Sequence, residues 1–415
     1  MDFLVFAPNP WHDLWRNRQQ IFSRLAARQH RVLYVEPARA SLADWRRGRV
    51  AWAQVRRPAL VQERPNLWLY RIPATLPTRA TGDLFDRVAD RLLAIHLRRA
   101  LRELSMVNSQ RSIVNDGHAA GNRPLSIDHW PLLWLYRPAR WRWAVASFPH
   151  RLLVYHITDD YAAFGHLSDA DRAALLAEER DLLAAADLVI VTAPRLLEIK
   201  APLARHIELV ANGVDLAAFQ RALDAPAAPA TRPRLGYSGH VSNRLDLPLL
   251  REIALARPDW ELVFAGSEWG AGCEEELQAL KALPNVHFLG LLPVEEVPYF
   301  IAGCDVCLIP YRVNDETRAI SSLKLYEYLA AGRPVVSAPV PAAEEHAAVV
   351  RMAEGHAPSW LEQIEAALRE RDNPAQVAAR QAVAAENTWD RRVGQIEALL
   401  ASLAPRKQDD PAPGA

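Results

Sequence analysis

The segment Ser321–Pro339, SSLKLYEYLAAGRPVVSAP, sets a lysine and a glutamate three residues apart just ahead of a Gly-Arg-Pro stop. Ser321 and Ser322 are N-cap candidates for a helix running through Ala331, and Gly332 stands where such a helix ends. Pro334 blocks continuation and leads into the apolar run VVSA, so the segment reads as a helix followed by a buried strand. The start of such a helix presents unpaired backbone N–H groups and partial positive charge, which favour an anion. Lys324 adds a full charge in the first turn. Glu327 follows at i+3 on the same face, where its carboxylate can accept from paired hydroxyls such as a ribose diol. Two readings fit these residues: a cradle for a diphosphate with a sugar diol one turn on, and a capped surface helix whose Lys–Glu pair contributes only ~0.3–0.5 kcal/mol.

Around this segment, short apolar strands alternate with helix-period stretches. FLVFAP, RVLYVEP, NLWLYRIP, PLLWLYRP, RLLVYHIT and ADLVIVTA form a first series. PRLGYSG, WELVFAG, NVHFLG, CDVCLIP and RPVVSAP form a second. Such alternation predicts parallel sheets covered by helices on both faces, hence an α/β protein of two doubly wound, Rossmann-like domains. The predicted boundaries are 1–215 for the first domain, an Ala/Pro-rich linker at 216–233, and 234–386 for the second. A last helix follows at 387–404, then a tail of disordered composition at 405–415.

The 415 residues exceed the roughly 250–300 at which a single core stops growing, which agrees with two domains. Net charge is zero, so nucleic acid is not the expected partner. Residues 1–110 nevertheless hold 19 arginines against nine acidic side chains. Within them, 86–104 reads as an amphipathic helix with Val88, Leu92, Ile95 and Leu104 set among Arg87, Arg91, Arg98, Arg99 and Arg102. This pattern suits either an anionic membrane surface or an ordinary solvated face. Cys273, Cys304 and Cys307 make no disulfide framework, and Cys304–Cys307 lie in a predicted core strand. The N-terminus reads as a first strand rather than a signal peptide, and no run approaches 18 apolar residues. The expectation is a cytoplasmic protein, peripheral at most to the inner face of the plasma membrane.

SSLKLYEYLAAGRPVVS resembles the donor-site signature of family 4 retaining glycosyltransferases of GT-B architecture. PWHDLWRNRQQIFSRLAARQHRVLYVEP, LVYHITDDYAAF, ADLVIVTAPRLLEIK, LVANGVDLAAF, LGYSGHVSNRLDLPLLREIALARPDWELVFAG and CDVCLIPYRVNDETRAI resemble further segments of one bacterial branch, in order along the chain. The resemblance implies transfer of a sugar from a nucleotide-diphosphate donor to a saccharide or lipid-linked acceptor, in cell-envelope or exopolysaccharide synthesis. The donor is then a co-substrate, and neither a cofactor nor an essential metal is expected. Glu327 matches the glutamate that holds the donor ribose, and Lys324 the basic residue near the diphosphate. Gly239 closes the first strand of the second domain and lets backbone approach phosphates. Arg244 sits in the phosphate-binding loop, His240 stands where an arginine is common, and Arg318 is placed to clamp a phosphate. Many such enzymes carry a second glutamate eight positions before the first, but here that position is Ala319. Sugar contacts are then expected from backbone N–H groups of residues 316–320, or from Asp315 and Glu316.

On the acceptor side, His12 and Asp13 follow the first strand, while His156, Asp159 and Asp160 follow another. The Asp159–Asp160 pair suits a divalent metal, acceptor orientation or turn chemistry, and His118 reads as a loop residue. Two other functions stay compatible with the scaffold: a sugar-nucleotide epimerase needing no acceptor, and a non-catalytic nucleotide-sugar-binding protein.

Overall fold

The computed structural model describes residues 1–13, 15–37, 59–73, 76, 83–114, 132–163, 167–225, 231–268, 272–321 and 323–403. Ser322 and His118 therefore lie outside the described residues. Two sheets organise the chain. The first holds β1 (Asp2–Phe6), β2 (Arg31–Glu36), β3 (Leu60–Arg64), β4 (Leu67–Arg71), β5 (Leu132–Leu135), β6 (Leu152–Ile157), β7 (Leu188–Val191) and β8 (Ile207–Leu209), in the order β3-β4-β2-β1-β5-β6-β7-β8. The second holds β9 (Arg234–Ser238), β10 (Glu261–Ala265), β11 (Val286–Gly290), β12 (Val306–Ile309), β13 (Val335–Ser337) and β14 (Val350–Met352), in the order β11-β10-β9-β12-β13-β14.

Neighbouring strands run parallel throughout both sheets, except that β3 pairs antiparallel with β4 at an edge. The β3–β4 hairpin was not expected. Its half-exposed strand LVQER lacks an apolar run, and its turn depends on Asn66 in a left-handed conformation (φ 63°). The central strands β6 and β7 are buried at every position, as strands covered on both faces must be.

Chain order reverses at β1 in the first sheet and at β9 in the second. Those reversals open crevices at the carboxyl ends of the strands, where doubly wound sheets bind ligands. The loops after β1, β6, β9, β10 and β12 thus face one another across the gap between lobes.

Two crossings join the lobes side by side. Val214 bridges Thr388, with Val214 N donating to Asn387 O at 2.9 Å and Trp389 N to Val214 O at 3.1 Å. A Cβ at Gly213 would sit 2.8 Å from Thr388 C and Trp389 N, so only glycine permits this approach. Helix Trp389–Leu403 then buries Trp389, Val393, Ile396 and Leu400 in the apolar cluster on one face of the first sheet, beside Phe3, Phe22 and Trp134. The stretch 216–233, expected as a linker, begins instead with helix Leu216–Leu223. Its N-cap Asp215 accepts from Ala218 N, and Phe219 packs into the second-lobe core. Alanine-rich composition hid that amphipathic turn.

Candidate functional site

Helix Leu323–Ala330 starts at the cleft and ends as expected. Gly332 adopts φ 67°, its N–H donates to Leu329 O, and Arg333 N donates to Tyr328 O. Tyr326, Tyr328, Leu325 and Leu329 are buried, which leaves Lys324 and Glu327 on the face that lines a cavity of about 1130 Å³ between the lobes. That volume exceeds the ~300–1,000 Å³ of an ordinary small-molecule pocket.

Lys324 Nζ donates to Tyr311 Oη at 2.6 Å and lies 5.1 Å and 5.0 Å from the ring centroids of Tyr237 and Tyr311. These two tyrosines, overlooked in the sequence, hold the ammonium at the end of β9. The Glu327 carboxylate has no hydrogen-bond partner among the described residues. Burial pushes its carboxyl up to about 7 against the pull of Lys324.

Gly239 adopts φ 131° and Gly266 φ 149°. A Cβ on Gly266 would lie 1.9 Å from Gly239 O, and one on Gly239 would lie 3.2 Å from Lys324 Cε. The two glycines therefore let the strand-end loops touch and keep bare backbone against the ammonium.

His240, grouped in the sequence with the donor-side residues, lines the cleft and bridges the lobes. Its Nδ1 is bonded to Ser267 Oγ, and its Nε2 meets Arg16 Nη2 of the other lobe at 2.7 Å. Burial, then the charges of Arg16, Lys324 and Arg244, bring its pKa down to about 4. A neutral ring with the proton on Nδ1 leaves Nε2 to accept from Arg16. Arg244 reaches the cleft with its Nε donating to Glu316 Oε1 at 2.7 Å; burial opposes its charge, but Asp159 and Glu316 more than offset this and raise its pKa.

Ser321 lines the cleft and also makes an interlobe contact: its Oγ accepts from Asn212 N at 3.3 Å and its carbonyl from Asn212 Nδ2 at 2.8 Å. Other sequence expectations fall elsewhere. Arg318 is exposed on the short helix Asp315–Arg318 and lines a second cavity of about 450 Å³ rather than the main cleft. His156 is 1% exposed. Strand alternation puts it on the same buried face as Leu152 and Val154, stacked on Tyr136 with centroids 5.0 Å apart, and burial holds its pKa down at about 3. Asp160 points to Lys200 Nζ at 3.5 Å, whereas Asp159, Asp13 and His12 line the cleft. His12 faces Glu63 at 3.2 Å on the outer rim.

The position of the absent glutamate is also settled. Ala319 is 2% exposed and belongs to the apolar cluster of the first lobe, where a carboxylate would be desolvated. The N–H groups of 317–320 already donate to Asn314, Glu316 and Thr317, which removes most of the backbone donors expected to hold a sugar.

The fold is the GT-B architecture of glycosyltransferases. Sucrose-phosphate synthase from Thermosynechococcus elongatus superposes with a TM-score of 0.64 at 17% identity, covering 97% of this chain and 98% of that one. Anabaena HepE, solved with UDP and glucose, gives 0.63 at 15% identity, with 97% and 100% coverage. WaaG, a glycosyltransferase involved in lipopolysaccharide biosynthesis, gives 0.58 at 15%, with 96% and 98% coverage. Residues 232–370, most of the second lobe, match the family model "Glycosyl transferases group 1". TuaH of Bacillus subtilis (strain 168), provisionally named a teichuronic acid biosynthesis glycosyltransferase, is 34% identical over 139 residues, 32% of this chain. That match spans about a third of the relative's length, 35%.

Proposed function

We propose that the protein is a glycosyltransferase that moves a hexosyl group from a nucleotide-diphosphate sugar to a hydroxyl of a saccharide or lipid-linked acceptor. The observation carrying this reading is the shared exposure of Lys324 and Glu327 to the interlobe cleft, one helical turn apart, with Gly239 alongside. Glu327, ionised, accepts from the two ribose hydroxyls. Lys324, Arg244 and the bare backbone at Gly239 meet the diphosphate. As the anomeric C–O bond breaks, its electron pair leaves on the phosphate oxygen, and these cations stabilise the charge that develops there. The acceptor oxygen bonds to the same carbon on the same face, so configuration is retained, and its proton passes to the leaving diphosphate. No resident cofactor or metal enters this scheme.

The similarity to TuaH supports a place in cell-envelope or exopolysaccharide synthesis. The helix Asp83–Val114 supports work at a membrane surface. Val88, Leu92 and Ile95 are 49%, 39% and 55% exposed, and Arg87, Arg91, Arg99 and Arg102 share their exposed side. Arg98, first grouped with that cationic face, turns inward instead and donates to Ser147 O at 2.6 Å.

A thermal-shift screen over UDP-, GDP-, ADP- and dTDP-sugars, followed by turnover assays with and without acceptor, tests the function. A stabilising donor whose sugar appears on an added acceptor supports transfer. Conversion of the donor without any acceptor would instead favour an epimerase.

A further inference from the structure

Arg16 and Arg18, at the start of helix Asn17–Ala27, line the first-lobe side of the cleft together with Asn17. Arg18 and Asn17 are each 3% exposed. The Nε atoms of both arginines and Oδ1 of Asn17 have no hydrogen-bond partner among the described residues. Neither guanidinium forms an ion pair among the described residues. Arg16 reaches the neutral His240, while Arg18 donates to Asn9 Oδ1 and lies 5.1 Å over the ring of Tyr136. Asp159 and Asp13 favour the charge on Arg16, and Arg18 opposes it more strongly than either does.

Buried arginines ordinarily carry a carboxylate partner, because an unpaired desolvated charge costs several kcal/mol. Here the buried Arg18 and the half-buried Arg16 stand close enough to repel. The missing counter-charge belongs to something that enters the cleft. We propose that Arg16 and Arg18 form an anion site on the first-lobe wall, which takes a phosphate or carboxylate group of the acceptor while Asn17 Oδ1 accepts from a neighbouring hydroxyl. This rests on the transferase reading and assigns it an anionic acceptor. The donor diphosphate has its own cations in Lys324 and Arg244 on the opposite lobe, and a cleft of about 1130 Å³ has room for both ligands.

The test is calorimetric titration of glucuronate and of inorganic phosphate into protein saturated with UDP. One or both anions should bind the wild type and bind at least tenfold more weakly to Arg16→Gln and Arg18→Gln, with UDP affinity of Arg18→Gln within twofold of wild type. Glucuronate alone binding identifies a uronate-bearing acceptor, and phosphate alone a phosphorylated one. No anion binding to the UDP-loaded wild type, or loss of UDP affinity in place of anion affinity, overturns the proposal. Should Arg18→Gln melt early, the half-buried Arg16→Gln carries the readout. Should UDP itself fail to bind, the same titration on unloaded protein tests the anion site apart from the donor assignment.

Discussion

Arg16 Nη2 and His240 Nε2 meet at 2.7 Å, tying the loop after β1 to the loop after β9 across the cleft. The contact needs a neutral imidazole. Its pKa is lowered to about 4, so the stability it adds is complete above the ordinary value near 6.5 and is lost as pH falls from there toward 4. His240→Gln should flatten that acid-side slope in a denaturant series from pH 7 to 4. A slope unchanged from wild type would remove His240 as its source.

Glu327 titrates with the opposite sign. Its pKa, raised to about 7, favours the protonated folded state, so stability is greatest below about 4.5 and declines as pH rises through 7. Nucleotide binding should run the other way and weaken as pH falls below 7, because a protonated carboxyl is a poorer acceptor for a diol. Glu327→Gln should lose both dependences. Persistence of the binding slope in the variant would assign the linkage to another group.

Gly266→Ala forces a Cβ to within 1.9 Å of Gly239 O at a φ of 149°. The expected cost is at least about 2 kcal/mol by chemical denaturation, together with weakened nucleotide binding as the Gly239 loop shifts. Gly303→Ala, whose nearest neighbour would be 3.4 Å away, should leave binding unaltered. Equal behaviour of the two variants would contradict the close approach.

Lys200 and Glu179 form a buried pair at 2.7 Å, with Tyr155 Oη donating to the other carboxylate oxygen at 2.9 Å. Lys200→Met strands Glu179 and should cost about 3–5 kcal/mol. Adding Glu179→Gln should recover a substantial part. Failure to recover any would mean that packing, rather than charge pairing, dominates at this site.

Exposed Val88, Leu92 and Ile95 among arginines give the membrane proposal its own test. Arg91→Glu with Arg102→Glu should reduce sedimentation with phosphatidylserine vesicles without lowering the melting temperature. Unaltered sedimentation would leave this helix a solvated face.

The alternation of short apolar runs with amphipathic stretches made both parallel sheets legible, and Gly332 and Pro334 marked the helix end within a residue. The Lys324–Glu327 spacing located one wall of the cleft for the same reason: i+3 neighbours share a helix face whatever the tertiary context. What stayed hidden depends on contacts far apart in the chain. His156 reads as a residue just past the apolar run LLVY, yet the strand continues to Ile157 and its alternation points the ring into the core. Arg318 adjoins the right helix but faces away. The meeting of Arg16 with His240 spans 224 residues, and no local pattern announces it. The segment after β1 stands out in the sequence for its Asp and His, whereas Arg16 and Arg18 reach the cleft with no carboxylate partner among the described residues.

The donor site proposed at the start of helix Leu323–Ala330 is tested most directly by titrating UDP, or the diphosphate that the donor screen selects, into wild type and Glu327→Ala by calorimetry. The account requires binding to the wild type that weakens at least tenfold in the variant while its melting temperature does not fall. Equal affinity in both proteins would contradict it.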